Sequence, residues 1–266
     1  MSDHAEAGDP VLLERHGAVA LIRLNRPRQL NVLDPALGRG LVAAVGAAAA
    51  DDGIRAVVLA GGGRSFCAGG DLSVFHADPD RAPEAAGELI DLFHTALRGI
   101  ALMPKPVIAA VQGPVAGGGF SLAVACDLVV AAEDATFLAA YTKLGTSPDG
   151  GLTWSLTQLI GRRRALDLIL TNRRLDAATA LAWGLVNAVV PPGTQESEAL
   201  ALADALATGS AGATAAVKRL VGEAAGQSFD AQLDAERAAF VARAATADFR
   251  EGIAAFVARR PPAFPD

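Results

Sequence analysis

Twice along this chain a short run of Val, Ile and Ala ends in clustered glycines, and each run follows a helical stretch. Residues 54–60 lead into Gly61-Gly62-Gly63 and then the FCAGGD loop of residues 66–71. Residues 107–111 lead through Gly113-Pro114 to Gly117-Gly118-Gly119. Short apolar runs bounded by glycine read as buried strands. Parallel strands need a long crossover, usually a helix. The order helix, apolar strand, glycine loop, recurring from Asp34 and from Gly87, therefore predicts an α/β fold with parallel strands and an internal structural repeat.

The remaining chain fills in around this repeat. Residues 11–13 and 18–24 read as strands about a turn at His16-Gly17. Asp34-Pro35 supplies an N-cap and a first-turn proline for a helix that Asp51-Asp52-Gly53 ends. Residues 76–86, polar and Pro-containing, read as a flexible surface segment before a helix over 87–101. An apolar helix ends near Cys126, and a strand follows over 128–132. From Asp149 the pattern turns helical, over 162–171, 176–183 and 194–208, with a short strand near 186–190. Pro191-Pro192-Gly193 divides a core, residues 1–192, from a helical region, residues 193–266. Phe229, Leu233, Phe240, Phe249, Ile253 and Phe256 give the helical region apolar stripes. A helical tail without its own sheet packs on the body or on another subunit.

Composition removes several classes of function. With 23 Lys+Arg against 29 Asp+Glu the net charge is −6, which argues against a nucleic-acid footprint. Residues 1–10 lack a basic start followed by an apolar run, so no secretory leader is expected. The most apolar stretch, 120–132, is interrupted by Asp127, and no run reaches the roughly 20 residues of a membrane span. Cys67 and Cys126 form neither a disulfide framework nor a metal pair, and reduced thiols in a cytoplasmic protein are expected. His4, His16, His76 and His94 make no metal motif.

The glycine loops carry the first chemical signal. Consecutive glycines let a ligand approach backbone N–H groups, and the second loop opens a helix whose first N–H groups lack partners. Two such groups aimed at one point form an oxyanion hole. Each loop taken alone is equally a tight turn. Neither matches a nucleotide-binding fingerprint.

Together with Leu24-Asn25-Arg26-Pro27, Cys126-Asp127-Leu128, residues 144–151 and Trp183-Gly184-Leu185-Val186, these loops make the chain resemble the crotonase superfamily, the enoyl-CoA hydratase/isomerase proteins. The resemblance runs from about Val11 to the C-terminus. It implies a spiral of ββα repeats with a C-terminal helical trimerisation region, often assembled as dimers of trimers. It implies an acyl-CoA substrate and no separate cofactor, since coenzyme A enters as part of the thioester. By the same resemblance Gly70 and Gly118 supply the oxyanion N–H groups. Arg28, Leu30, Ala68, Asp71 and Leu72 contact the CoA; Arg259 and Arg260 read as a solvated helix end, with contact to a neighbouring subunit's CoA as the alternative. For Arg28 a solvated surface charge, and for Asp71 a local cap, are the plain alternatives.

The sequence departs from the hydratases of this family. Their two water-activating glutamates fall on Ser121 and Tyr141, and neither is a carboxylate. Hydration needs a base for water and an acid for the α-carbon, which Ser and Tyr supply poorly at neutral pH. An acid stands elsewhere, at Asp149 in Gly145-Thr146-Ser147-Pro148-Asp149-Gly150-Gly151. Isomerases of the superfamily use an acid at this position to shuttle a proton, and 4-chlorobenzoyl-CoA dehalogenases use it as a nucleophile. Pro-Asp-Gly before a helix is also an ordinary N-cap. The expectation is an enoyl-CoA isomerase in which Asp149 moves a proton from C2 to C4, with Ser121 and Tyr141 lining the acyl pocket or donating hydrogen bonds. The alternatives are a hydratase, or a non-catalytic CoA-thioester or RNA-binding member of the fold. A dehalogenase would want a His near the nucleophile. His94 lies in an apolar helix and reads as structural.

Overall fold

The computed structural model describes residues 8–264; His4 and the start of the polar N-terminal segment lie outside them. Nine strands and ten α-helices occur among the described residues. In chain order they are β1 (Val11–His16), β2 (Val19–Leu24), α1 (Pro35–Ala50), β3 (Ala56–Gly61), α2 (Leu72–Ala77), α3 (Ala82–Leu102), β4 (Val107–Val111), β5 (Pro114–Ala116), α4 (Gly118–Val124), β6 (Leu128–Ala132), β7 (Thr136–Leu138), α5 (Leu152–Thr171), β8 (Leu175–Asp176), α6 (Ala177–Ala182), β9 (Ala188–Val190), α7 (Gln195–Ala207), α8 (Ala211–Ala224), α9 (Phe229–Ala244) and α10 (Ala247–Ala258).

The main sheet has the order β1-β2-β3-β4-β6-β9. Only the β1–β2 hairpin is antiparallel, with Val11 opposite Leu24; the other pairs are parallel. β3 and β4 are buried throughout, as expected of parallel strands covered on both faces. Alternate residues serve two cores. Ile22, Leu24, Val57, Leu59, Ala109 and Val111 face the core with α1 and α3. Leu21, Val58, Ala60, Ile108 and Ala110 face the other way, onto Ala199 and Ala203 of α7. A second sheet, β5-β7-β8, stands apart from the first.

Local chemistry fixes the element ends. The Asp34 side chain accepts from Leu37 N at 2.8 Å at the head of α1, a cap worth about 1 kcal/mol, and Pro35 follows it. One expectation needs correction, and two features go beyond what was expected. The stretch 76–86 is largely helical: α2 runs through Ala77 and α3 begins at Ala82, because a proline in a first turn has no N–H to waste. The helix expected over 162–171 is present, and a second helical segment from Leu152 precedes it; the chain bends between them at Gly161, whose backbone (φ +78°, ψ 156°) is not helical. The three short strands of the second sheet were not foreseen.

The helices after α7 differ from the core. Lys218 of α8 anchors to the body through Asp127 Oδ2 (2.7 Å) and the carbonyls of Ile100 (2.8 Å) and Lys105 (3.1 Å). Neither α8 nor α9 has a fully buried residue. Phe229, Phe240, Phe256 and Val257 are mostly exposed. Among the described residues no single helix is long and apolar enough to cross a membrane, and no three His, Cys, Asp or Glu side chains group to hold a metal ion. Both cysteines are buried and free; burial pushes the Cys67 thiol up to about 12 and raises Cys126 as well.

Candidate active site

The two glycine loops meet. Residue Gly70 pairs with Leu33 in an isolated parallel bridge, made by Leu33 N to Gly69 O (2.7 Å) and Asp71 N to Leu33 O (2.9 Å). In such a bridge the N–H of Gly70 itself points away from Leu33. Cys67 bridges Val115 in the same way, through Ala116 N to Cys67 O at 3.0 Å. That crossing leaves no room for side chains: a Cβ on Gly119 would lie 2.1 Å from Cys67 O, and one on Gly118 would lie 2.6 Å from Leu33 Cδ1. Gly118 opens α4, so its N–H has no intrahelical acceptor. One backbone N–H from each loop is thus free of its own loop's ladder.

A buried amide holds the first loop in place. Asn31, fully buried, donates from Nδ2 to the carbonyls of Gly62 (3.0 Å), Ser65 (2.8 Å) and Phe66 (3.1 Å), while its Oδ1 accepts from Arg26 N (2.8 Å). Both it and Leu30 adopt positive φ, at 54° and 55°. The Asn31 anchor ties residues 26–33 to the FCAGGD loop, and Ala68 N reaches Leu30 O at 3.0 Å. Leu30 and Ala68 are thus neighbours, with Arg28 two residues before the first and Asp71 and Leu72 shortly after the second. Arg28 lies exposed in a 3-10 turn, and Leu72 is half-exposed at the start of α2. The Asp71 carboxylate accepts from Ser73 N (2.9 Å) and Ser73 Oγ (2.6 Å), so it caps α2.

The Asp149 turn closes the opposite side. Its carboxylate Oδ1 lies 2.7 Å from His94 Nε2 of α3. An ionised carboxylate only accepts, so in that state the His94 ring carries its proton on Nε2. The turn's backbone is fastened separately: Ser121 Oγ, fully buried, donates to Asp149 O at 2.7 Å, and Tyr141 OH approaches the same oxygen at 3.4 Å and Ser121 Oγ at 3.3 Å. Burial pushes the Tyr141 phenol up to about 12, so it remains a neutral donor at physiological pH. Gly150 (φ +63°) needs its missing side chain, since a Cβ there would lie 2.5 Å from Phe93 Cε1 and 2.8 Å from Ser121 Cβ. The same Phe93 ring stands 3.7 Å from the Cβ position of Gly118. Phe93 thus connects the glycine loops to the Asp149 turn.

His94, read from the sequence as structural, contacts Asp149 directly. Leu89, Phe93, Ala96, Leu97 and Ile100 form the buried stripe of α3, and His94 sits beside it, partly exposed, facing Asp149. Sequence reasoning also passed over Asn31 and Phe93. No local pattern joins His94 to an aspartate 55 positions away. Arg260 is held by Glu251 within its own chain, at 2.6 and 2.8 Å.

Comparison with known proteins places the chain in a family. The sequence profile of the enoyl-CoA hydratase/isomerase family matches residues 14–266. The chain is 39% identical over 247 residues to the 1,2-epoxyphenylacetyl-CoA isomerase of Escherichia coli (strain K12), covering 92% of this chain and 94% of that protein. It is 40% identical over 252 residues to a probable enoyl-CoA hydratase of Rhizobium meliloti (strain 1021), covering 95% and 96%. The crystal structure of an enoyl-CoA hydratase from Polaromonas sp. JS666 superposes with a TM-score of 0.92 at 40% identity, covering 95% of this chain and 98% of that one. The chain belongs to the enoyl-CoA hydratase/isomerase family and has the crotonase fold.

Proposed function

We propose that this enzyme shifts the double bond of a 3-enoyl-CoA into conjugation with its thioester. The observation that supports this reading is the Asp149 carboxylate held at Oδ1 by His94, with the hydroxyls of Ser121 and Tyr141 turned onto its backbone carbonyl. The N–H groups of Gly70 and Gly118 hold the thioester oxygen and stabilise the charge that gathers there. Asp149 Oδ2 takes a proton from C2, and the C–H electron pair forms the C1–C2 double bond of a dienolate. Asp149 returns the proton to C4. The C3–C4 double bond moves to C2–C3, and no proton is gained or lost. His94 keeps Oδ1 fixed throughout. The CoA moiety runs along Arg28, Leu30, Ala68, Asp71 and Leu72, with the Arg28 guanidinium suited to its phosphates.

Residues 1–192 would form the acyl-CoA-binding core, with α7 added to it, and the following helices would assemble a homotrimer or hexamer through their exposed apolar residues. The buried, reduced thiols suit a cytoplasmic enzyme. Hydration remains the alternative, but Ser121 gives its hydrogen to Asp149 O and stands as no base for water. The −6 charge weighs against RNA as the ligand.

The His94–Asp149 contact favours one further reading. Asp149 would attack an activated aryl carbon of a halobenzoyl-CoA, chloride would leave with its electron pair, and water giving its proton to His94 would hydrolyse the aryl ester. Chloride release from 4-chlorobenzoyl-CoA tests it directly. The isomerase reading is tested with trans-3-hexenoyl-CoA and Asp149→Asn. Conjugation should fall roughly 10²- to 10⁴-fold, the contribution of a positioned acid–base group. An unchanged rate would overturn the mechanism.

A further inference from the structure

The loop that presents Gly70 turns its carbonyls inward, and two buried side-chain amides take them up. Asn31 serves Gly62, Ser65 and Phe66. Gln112, 7% exposed, serves another pair: its Nε2 donates to Gly61 O at 2.6 Å and to Gly63 O at 3.0 Å. The remaining carbonyl of the stretch, Arg64 O, abuts Gly113, where a Cβ would lie 2.1 Å from it. Carbonyls withdrawn from water need donors, and a carboxamide supplies two without bringing a charge.

The bonding of Gln112 is one-sided. Among the described residues its Oε1 is buried and has no hydrogen-bond partner. Turning the amide over would set that oxygen against two carbonyl oxygens and leave all three without donors. An unsatisfied buried acceptor is destabilising, and an apolar side chain of the same shape would avoid it. Packing alone therefore gives no reason for a glutamine here.

Its place in the chain does. Gln112 follows β4 directly and leads through Gly113 into β5 and the loop that presents Gly118. Its own carbonyl accepts from Phe66 N at 2.9 Å, so backbone and side chain both grip the first loop. Ser65 Oγ of that loop donates back to Pro114 O at 2.8 Å. We propose that Gln112 is a positioning residue, which fixes the N–H of Gly70 relative to that of Gly118 so that both meet one enolate oxygen. Donors of this kind are effective only when they are in place before the charge develops. The inference rests on the oxyanion reading of Gly70 and Gly118 and names the side chain that keeps them in register.

Gln112→Met keeps the side-chain length and removes both donors. Its effect is read on the full chain by thermal melting, by turnover of trans-3-hexenoyl-CoA and by the enolate absorbance of bound acetoacetyl-CoA. The variant should lose most of the enolate absorbance and lower kcat roughly 10- to 100-fold with little change in KM, as expected when a site group shifts by about 1 Å. Gln112→Glu carries the test if the Met variant folds poorly. Its neutral carboxyl keeps one donor and its carboxylate keeps none. The enolate absorbance of this variant, taken relative to wild type at the same pH, should therefore fall as pH rises. A Met variant that melts lower but keeps kcat and enolate absorbance, or a Glu variant equal to wild type at every pH, would overturn the role of Gln112 alone. A wild type that binds acetoacetyl-CoA without enolate absorbance would overturn the oxyanion reading beneath it.

Discussion

The candidate site has two halves built by different means. The glycine-loop half is backbone: its proposed donors are the N–H groups of Gly70 and Gly118, and its shape comes from glycines that let two chain segments cross. The Asp149 half is side chain: a carboxylate held at one oxygen by His94, on a turn whose carbonyl is fastened by Ser121 and Tyr141. Damage where the loops cross in the first half should appear as lost stability as well as lost activity. Damage to the second should appear in turnover with the fold intact.

The largest effect expected in the backbone half comes from Gly119→Ala. Its methyl would stand 2.1 Å from Cys67 O, at the crossing of the loops, and should cost roughly 3 kcal/mol or more. Gly70→Ala is the control, because nothing lies within 4 Å of its Cβ position. Thermal melts should separate the two, with Gly119→Ala melting far lower and Gly70→Ala close to wild type; equal melts would remove the contrast. In the side-chain half, His94→Gln should lower kcat roughly 10- to 100-fold with little change in KM, since a misplaced carboxylate loses orientation and not binding. A change confined to KM would place His94 in substrate binding.

Smaller effects should come from the turn's fasteners. Ser121→Ala removes one buried hydrogen bond, about 1 kcal/mol, and should slow turnover several-fold. Tyr141 can be read directly, because it is the chain's one tyrosine. Its phenol is pushed up to about 12 from an ordinary 10.0, chiefly by burial. Absorbance should show no tyrosinate near pH 10 in the folded protein. Between those values the folded chain keeps a proton that the unfolded chain has lost, so stability falls as pH rises there. Ionisation at pH 10 in the folded protein would show that Tyr141 is not enclosed.

The two halves also differ in how far the sequence revealed them. Glycine clusters after apolar strands are contiguous patterns, and the two loops, the strands over 107–111 and 128–132 and the α1 cap were legible because each depends on neighbours in sequence. Asp149 was legible as an acid before a helix and through its family resemblance. Its surroundings were not. His94 reaches it only because α3 lays its Leu89–Phe93–Leu97 stripe against the core, and Asn31 matters only because three carbonyls from another loop converge on it. The three-residue strands β5 and β7 depend on pairing across 22 positions, Pro114 with Thr136, and leave too little local pattern to read.

The most direct measurement gives the same enzyme trans-3-hexenoyl-CoA and crotonyl-CoA in parallel and follows the conjugated thioester absorbance in each. A site in which Asp149 carries the proton between C2 and C4 should build conjugation rapidly from the first and barely consume the second. Rapid loss of the crotonyl signal without conjugation of the hexenoyl substrate would contradict the account, because water would then be activated by groups other than Asp149.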